Sequence, residues 1–257
     1  MNDRKLFRQS EIKTFLMCGK RWEFEYALGI KRPSNPTATV GAVVDTGVSK
    51  NLAQKVTSGV DLSLDAVLSI GSDDFDKRKA ETEWAPDDDL GQAKDHAVNI
   101  LRLHHTVLAP KMKPVTVQEK FHIETDGGFD LSGTIDYTLA GGIIGDTKTT
   151  SRARASSFVV ERAFQPAMYD YAFRALHPDK TPAAFRFDIF TRPTKTLAAE
   201  YKPIEGKVTI SDHEWLFASI DQVNKAINAG VALPAPEGSW HCSDKWCPYW
   251  AMCKGKR

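Results

Sequence analysis

The chain is short of three things. It has only four cysteines in 257 residues, no excess of either charge, and no long apolar run. Lys plus Arg number 34 against 33 Asp plus Glu, so net charge alone names no polyanionic partner. No stretch approaches the roughly 18 apolar residues that a spanning helix needs. The opening Met-Asn-Asp-Arg-Lys-Leu-Phe-Arg lacks the apolar core of a secretory signal. The expectation is an intracellular, cytoplasmic protein, where cysteines more often ligate metal than form disulfides. No G-x-x-x-x-G-K-[ST] phosphate loop occurs, which argues against an attached ATP-driven motor. Internal repeats and low-complexity tracts are also absent. What remains, 26% charged and 42% hydrophobic residues, is ordinary globular composition, and the length can bury a substantial core.

Local charge is more uneven than the total. Arg4, Lys5 and Arg8 open the chain, Arg152 and Arg154 sit mid-chain, and Lys254, Lys256 and Arg257 close it. Acidic residues gather between Asp73 and Asp89. A basic groove is compatible with this pattern, and so is ordinary solvated surface charge.

Periodicity divides the chain. Ser10 can cap a helix to about Leu28, and further helices are expected over Gly41 to Val56 and about Leu90 to Leu108. Residues 58 to 90 read as a short helix plus loops. From Pro114 the period becomes two: strands are expected at 114–124, 128–139 and 142–149, the first three antiparallel. A helix from about Ser157 to Leu176, strands at 183–192 and 197–204, and a helix from Ser211 to Ala229 follow. The fold class is therefore mixed α/β, a sandwich with a helical N-terminal lobe. The expected organisation is one domain: a helical lobe over 1–110, an αβ core over 111–230, and a cysteine-rich segment over 231–257 joined back to Cys18.

Chemistry concentrates at Gly133-Thr-Ile-Asp136 and Asp146-Thr-Lys148 on adjoining strands. Asp136 and Asp146 are hard oxygen donors suited to Mg²⁺ or Mn²⁺. Lys148 lies two residues past Asp146, on the same strand face, and the Thr147 carbonyl between them can add a ligand. Two carboxylates and an ammonium can hold a divalent metal and a phosphate together, which points to phosphodiester hydrolysis. Gln165 and Tyr169, one helical turn apart, share a face of the next helix.

A Gln-x-x-x-Tyr helix directly after an Asp-x-Lys strand resembles the PD-(D/E)XK nuclease superfamily, in particular its RecB-like branch. That branch includes recombination nucleases, the exonucleases of CRISPR adaptation and many phage enzymes. The resemblance implies that Asp136, Asp146 and Lys148 are catalytic and that Gln165 and Tyr169 support the site and contact DNA. The family's upstream helix ligand lies in a Gly-x-x-x-His pattern. Here the matching stretch is Gly41-Ala-Val-Val-Asp45, so Asp45 stands where His is usual, and the implied metal set is Asp45, Asp136, Asp146 and Thr147. Glu119 resembles a charged position common in this branch. The implied activity is a metal-dependent DNA exonuclease acting on single-stranded or free ends, in recombination, repair or phage DNA processing, with a helicase or recombination protein as a possible partner. Two rivals share the pattern: a non-catalytic DNA-binding module that keeps the fold, and a restriction-type endonuclease.

The four cysteines lie at the ends: Cys18, then Cys242, Cys247 and Cys253. Four thiolates can hold zinc or an iron–sulfur cluster, and spacing does not choose between them; His241 could join a zinc site. One N-terminal and three C-terminal cysteines resemble the iron–sulfur clasp of RecB-like nucleases, as does the aromatic run after Cys18. That resemblance implies a [4Fe–4S] cluster tying the chain ends together.

Overall fold

The computed structural model describes residues 4–151, 155, 158–161 and 163–254. Arg152, Arg154, Ser157, Lys256 and Arg257, singled out above, lie outside the described residues. The chain divides into two compact units. One comprises Met1–Arg32, His122–Gly133 and Ile210–Arg257, the other Pro33–Phe121 and Thr134–Thr209.

The larger unit begins with three helices, α3 (Pro36–Ser58), α4 (Leu64–Arg78) and α5 (Leu90–Leu103). Each starts where a side chain accepts an otherwise orphan backbone N–H: Asn35, Ser63 and Asp89 cap Ala38, Ala66 and Gln92. Pro36 at the first turn of α3 and left-handed Gly59 after its end fix both limits. Close packing is set by glycine. A Cβ at Gly47 or Gly71 would meet Leu101 at 2.5 and 2.3 Å, so the Leu101 side chain fills the space between the helices. Val43, Val44, Leu52, Phe75 and Ile100 complete this core.

The strands of this unit follow period two. β2 (Pro114–Glu124) pairs with β3 (Phe129–Leu139), which runs antiparallel to β4 (Ile143–Thr150). β4 is parallel to β5 (Ala184–Thr191), which is antiparallel to β6 (Glu200–Gly206). The chain between β4 and β5 carries α6 (Phe164–Leu176), the crossover that parallel neighbours require. Gly145 has a packing reason: a Cβ there would lie 1.9 Å from the Tyr137 ring. Tyr137 crosses that space to donate to Asp188, which is fully buried and also accepts from Tyr201 at 2.7 Å and Arg186 at 3.0 Å.

In the smaller unit, β1 (Lys5–Phe7) pairs in parallel with the start of β3, Lys5 opposite Phe129. Next come α1 (Gln9–Met17) and α2 (Gly19–Trp22), then a wider turn of helix over Glu23–Ala27. α7 (Ile210–Asn228) and the short α8 (Trp250–Lys254) complete it. Phe129 meets Phe7 edge to face at 5.9 Å and stacks on Phe217 at 6.0 Å.

Several expectations need correction. The first helix does not run from Ser10 to Leu28; it is capped by Arg8 and broken at Cys18, whose backbone is extended while its thiol accepts the Arg21 N–H to start α2. Residues 58 to 90 hold the 15-residue α4 rather than a short helix. The strand expected from 197 begins at Glu200, and β1 was not foreseen. Arg4 and Lys5, read as open basic charge, are engaged with Asp130 at 2.7 Å and Glu11 at 2.9 Å.

Candidate active site and thiol cavity

Residues from α3, β3, β4 and α6 converge in the larger unit. Gly41 lets α3 approach β4: a Cβ there would stand 3.3 Å from the Thr149 hydroxyl. Asp45, one turn on, is thereby brought within electrostatic reach of Asp146 and Lys148. Burial and the nearby Asp146 carboxylate raise the Asp45 pKa, while Ser49, Lys148 and Arg78 pull it down.

Asp146 is the hub, only 1% exposed. Its Oδ1 accepts from Lys148 Nζ at 2.9 Å and from Gln165 Nε2 at 2.5 Å, and Lys148 also stands 2.7 Å from Oδ2. The i, i+2 pairing shows that both side chains project from one strand face, as period two requires. Oδ2 is held by the ion pair with Lys148 rather than by a well-angled hydrogen bond among the described residues. Asp136 hydrogen-bonds Asp146, and its pKa is raised well above the usual carboxylate range, first by burial and then by the Asp146 and Asp45 charges. For Lys148, the three aspartates outweigh a desolvation that acts in the opposite direction, so it stays an ammonium. Tyr169 is buried against Phe121 and Phe185, and desolvation followed by the Asp136 and Asp146 charges raises its pKa, so the hydroxyl stays protonated.

Asp45, Asp136, Asp146, Lys148, Gln165 and Tyr169 thus form one electrostatically coupled group. Glu119 does not join it: its carboxylate accepts from Thr116 at 3.0 Å and pairs with His177 at 2.9 Å. Among the described residues no three His, Cys, Asp or Glu side chains already form a cage around one ion. The Lys148 ammonium, bridging both Asp146 oxygens, supplies the positive charge there instead. The donors are all oxygen and mostly carboxylate, and this set fits a hard divalent cation. Gln118, whose amide reaches Asp45, carried no recognisable sequence signal.

The smaller unit brings the four cysteines together. All are free and half-buried, and with Arg21, Phe24 and Tyr249 they line one small cavity. The chain ends meet closely here: a Cβ at Gly19 would lie 2.8 Å from the Leu233 backbone. The Cys18 sulfur accepts backbone N–H groups from Arg21 at 3.4 Å and Ala235 at 3.3 Å. The Tyr249 ring stacks on Phe24 at 5.4 Å while its hydroxyl donates to the Ile30 carbonyl. Burial pushes the Cys247 thiol pKa up and the neighbouring Cys18 and Cys242 add to it, whereas the Tyr249 backbone and Arg21 oppose. His241 turns away to the Met17 carbonyl, 3.2 Å distant.

Residues 7–254 match the model of the PD-(D/E)XK nuclease superfamily, and the chain belongs to that superfamily. Nucleases of this group typically use divalent metals such as Mg²⁺. A "Putative exonuclease" from Eubacterium rectale has a similar crystal structure, with a TM-score of 0.61 and 15% identity, over 98% of this chain and 88% of that one. At that identity the likeness is one of fold. A second crystal structure, SSO0001, aligns over 99% of this chain and 88% of its own at 13% identity, with a TM-score of only 0.41. No curated protein matches the chain. Among the described residues no helix is long and apolar enough to cross a membrane.

Proposed function

We propose that this chain is a metal-dependent DNA exonuclease of the RecB-like type, working at single-stranded or free ends in recombination, repair or phage DNA processing. The observation that carries the reading is Asp146: a buried carboxylate bonded to Lys148 and Gln165, hydrogen-bonded to Asp136 and within electrostatic reach of Asp45. Asp136, Asp146, Asp45 and the Thr147 carbonyl would hold Mg²⁺ or Mn²⁺. When bound, the metal supplies charge neutralisation and a more acidic water. Lys148 offers its ammonium to a phosphate oxygen, and Gln165 fixes the Asp146 carboxylate so that one oxygen faces the site. Tyr169, kept protonated, serves as a hydrogen-bond donor rather than as a base. The exonuclease name of the Eubacterium rectale protein agrees with this reading.

The thiol cavity supports the second part of the proposal, a [4Fe–4S] cluster held by Cys18, Cys242, Cys247 and Cys253 that ties the two chain ends together. A single zinc needs all four sulfurs within about 2.3 Å of one atom, whereas a cluster spreads them around a cage with one iron each. The four cysteines line a common cavity, which supports a shared ligand, and the resemblance to the RecB-like clasp favours the cluster over zinc.

The test uses protein purified without oxygen and incubated with labelled single- and double-stranded DNA plus Mg²⁺ or Mn²⁺. Wild type is expected to degrade DNA progressively from its ends, only with metal. Asp146→Ala and Lys148→Ala should abolish cleavage while retaining the fold. DNA binding without metal-dependent cleavage by wild type would instead establish the non-catalytic module, a reading that Asp45 at the usual His position keeps specific.

A further inference from the structure

β2 is not a regular strand. Residues three apart on a regular strand face opposite ways, yet Thr116 Oγ1 donates to Glu119 Oε2 at 3.0 Å. Burial tells the same story. Thr116 faces inward, hydrogen-bonding Thr138 at 2.8 Å, while Val115 is 47% exposed; from Val117 onward the odd-numbered residues, up to Phe121, face inward. The alternation therefore slips by one place at Thr116–Val117. Immediately beyond the slip, Gln118 has φ +53°, the only non-glycine residue with positive φ among those described. L-residues with a side chain rarely adopt that region, because the Cβ crowds the neighbouring carbonyl. Together these features define a β-bulge, the device that re-aims a side chain beside a site.

What the bulge aims is the Gln118 amide. Its Nε2 donates to Ser49 Oγ at 2.9 Å and to Asp45 Oδ1 at 3.3 Å. Ser49, one turn beyond Asp45 on α3, also donates to Asp45 Oδ1, at 3.4 Å. Two donors thus converge on one oxygen of Asp45 and leave its Oδ2 to face elsewhere. A carboxylate is shorter and less restrained than an imidazole in the same helical position. Fixing one oxygen from outside gives the other a defined direction.

We infer that Gln118, delivered by the β2 bulge, is a positioning residue that holds the Asp45 carboxylate in its metal-binding orientation; this rests on the metal-nuclease reading above. Gln118 does not touch the metal or the DNA. It acts through Asp45, and its loss weakens metal binding before any chemistry occurs. Partners of this outer kind are worth about 10- to 100-fold in metal affinity at other sites. For an exposed amide the lower figure is the expectation.

Gln118→Gly is the informative variant, because glycine adopts positive φ without strain and so keeps the bulge while removing the amide. Mn²⁺ binding to the intact protein, without DNA, is followed by the EPR signal of free Mn²⁺, alongside the melting temperature in the absence of metal. Asp45→Ala defines the effect of losing the carboxylate altogether. The expected result is a Gln118→Gly protein that melts at or above the wild-type temperature but binds Mn²⁺ about 10-fold more weakly. Wild-type Mn²⁺ affinity in Gln118→Gly, with Asp45→Ala impaired, overturns the inference and leaves the nuclease reading standing. Weakened binding accompanied by a lowered melting temperature also overturns it, since the amide would then be structural. If wild type itself binds no Mn²⁺, both fail together.

Discussion

The two candidate sites are built on opposite principles. In the carboxylate site the charged groups are mutually satisfied before any ligand arrives: Lys148 and Gln165 hold Asp146, and Asp136 hydrogen-bonds the same group. In the thiol cavity the sulfurs have backbone N–H partners at Cys18 but surround a space. The first can fold as a complete electrostatic unit and exchange a cation. The second, on the proposed reading, would gain a further link between its walls from an occupant. A functional metal that must come and go and a structural group that must stay would differ in this way.

The strongest way to break the comparison is to remove one thiol. Structural metal sites can contribute on the order of 10 kcal/mol to folding, so Cys247→Ala is expected to have the largest effect of any single change here. Anaerobically purified wild type should be brown and contain iron and sulfide; the variant should be colourless and far less stable, with the segment after Leu233 open to protease. Colourless wild type with stoichiometric zinc would overturn the cluster assignment. A substitution at Lys148, by contrast, should leave iron content and colour unchanged.

The sequence was most readable where a period and a chemical need coincide. Asp146 and Lys148 on a strand, and Gln165 and Tyr169 on a helix, are fixed by the repeats of 2 and 3.6 residues, so their convergence was foreseeable. The gathering of Cys18 with three distant cysteines was implied by the resemblance to the RecB-like clasp, and the four do line one cavity. Three features resisted. α4 buries little besides Val67, Gly71 and Phe75, so its apolar stripe is too thin to stand out in an acidic stretch. The break at Cys18 depends on a thiol acting as a helix cap. The β2 bulge has no glycine to announce it, because the residue forced to positive φ is Gln118. The burial of Asp188 on β5, bonded to Tyr137, Arg186 and Tyr201, was hidden as well, since Tyr137 and Tyr201 reach it from other strands.

A smaller effect separates the units by pH. His104 is 1% exposed, packs on Phe190, and its Nε2 has no hydrogen-bond partner among the described residues. Burial lowers its pKa to about 3. The folded state therefore keeps it neutral while the unfolded chain takes up a proton below about pH 6.5. The stability it permits is intact above that pH and is lost as pH falls toward 3. At pH 5 the loss is about 2 kcal/mol, from 1.4 kcal/mol per pH unit. Acid should thus loosen the larger unit, and His104→Leu should reduce the slope of stability between pH 6.5 and 4, measured by denaturant titration.

The smallest effect tests the claim that the carboxylate site is satisfied without metal. Mutual satisfaction is incomplete, because Lys148 supplies one positive charge against three aspartates. Asp136 shows the remainder: burial and the charges of Asp146 and Asp45 raise its pKa well above the usual range. A raised folded-state pKa means that its contribution is fully favourable below the unfolded value and is lost as pH rises through the folded one. At neutral pH, above the ordinary carboxylate range, Asp136 is therefore a net cost to the metal-free protein. Asp136→Asn should remove that cost, raising the metal-free melting temperature by about 3 °C if the relief is on the order of 1 kcal/mol, with the gain shrinking as pH is lowered. Wild type should gain at least as much from Mg²⁺, and the variant should gain less. Equal stability of the two metal-free proteins at pH 7.5 would mean that Lys148 alone balances the site. In that case the two regions would differ in the kind of ligand they take and not in how they are held together.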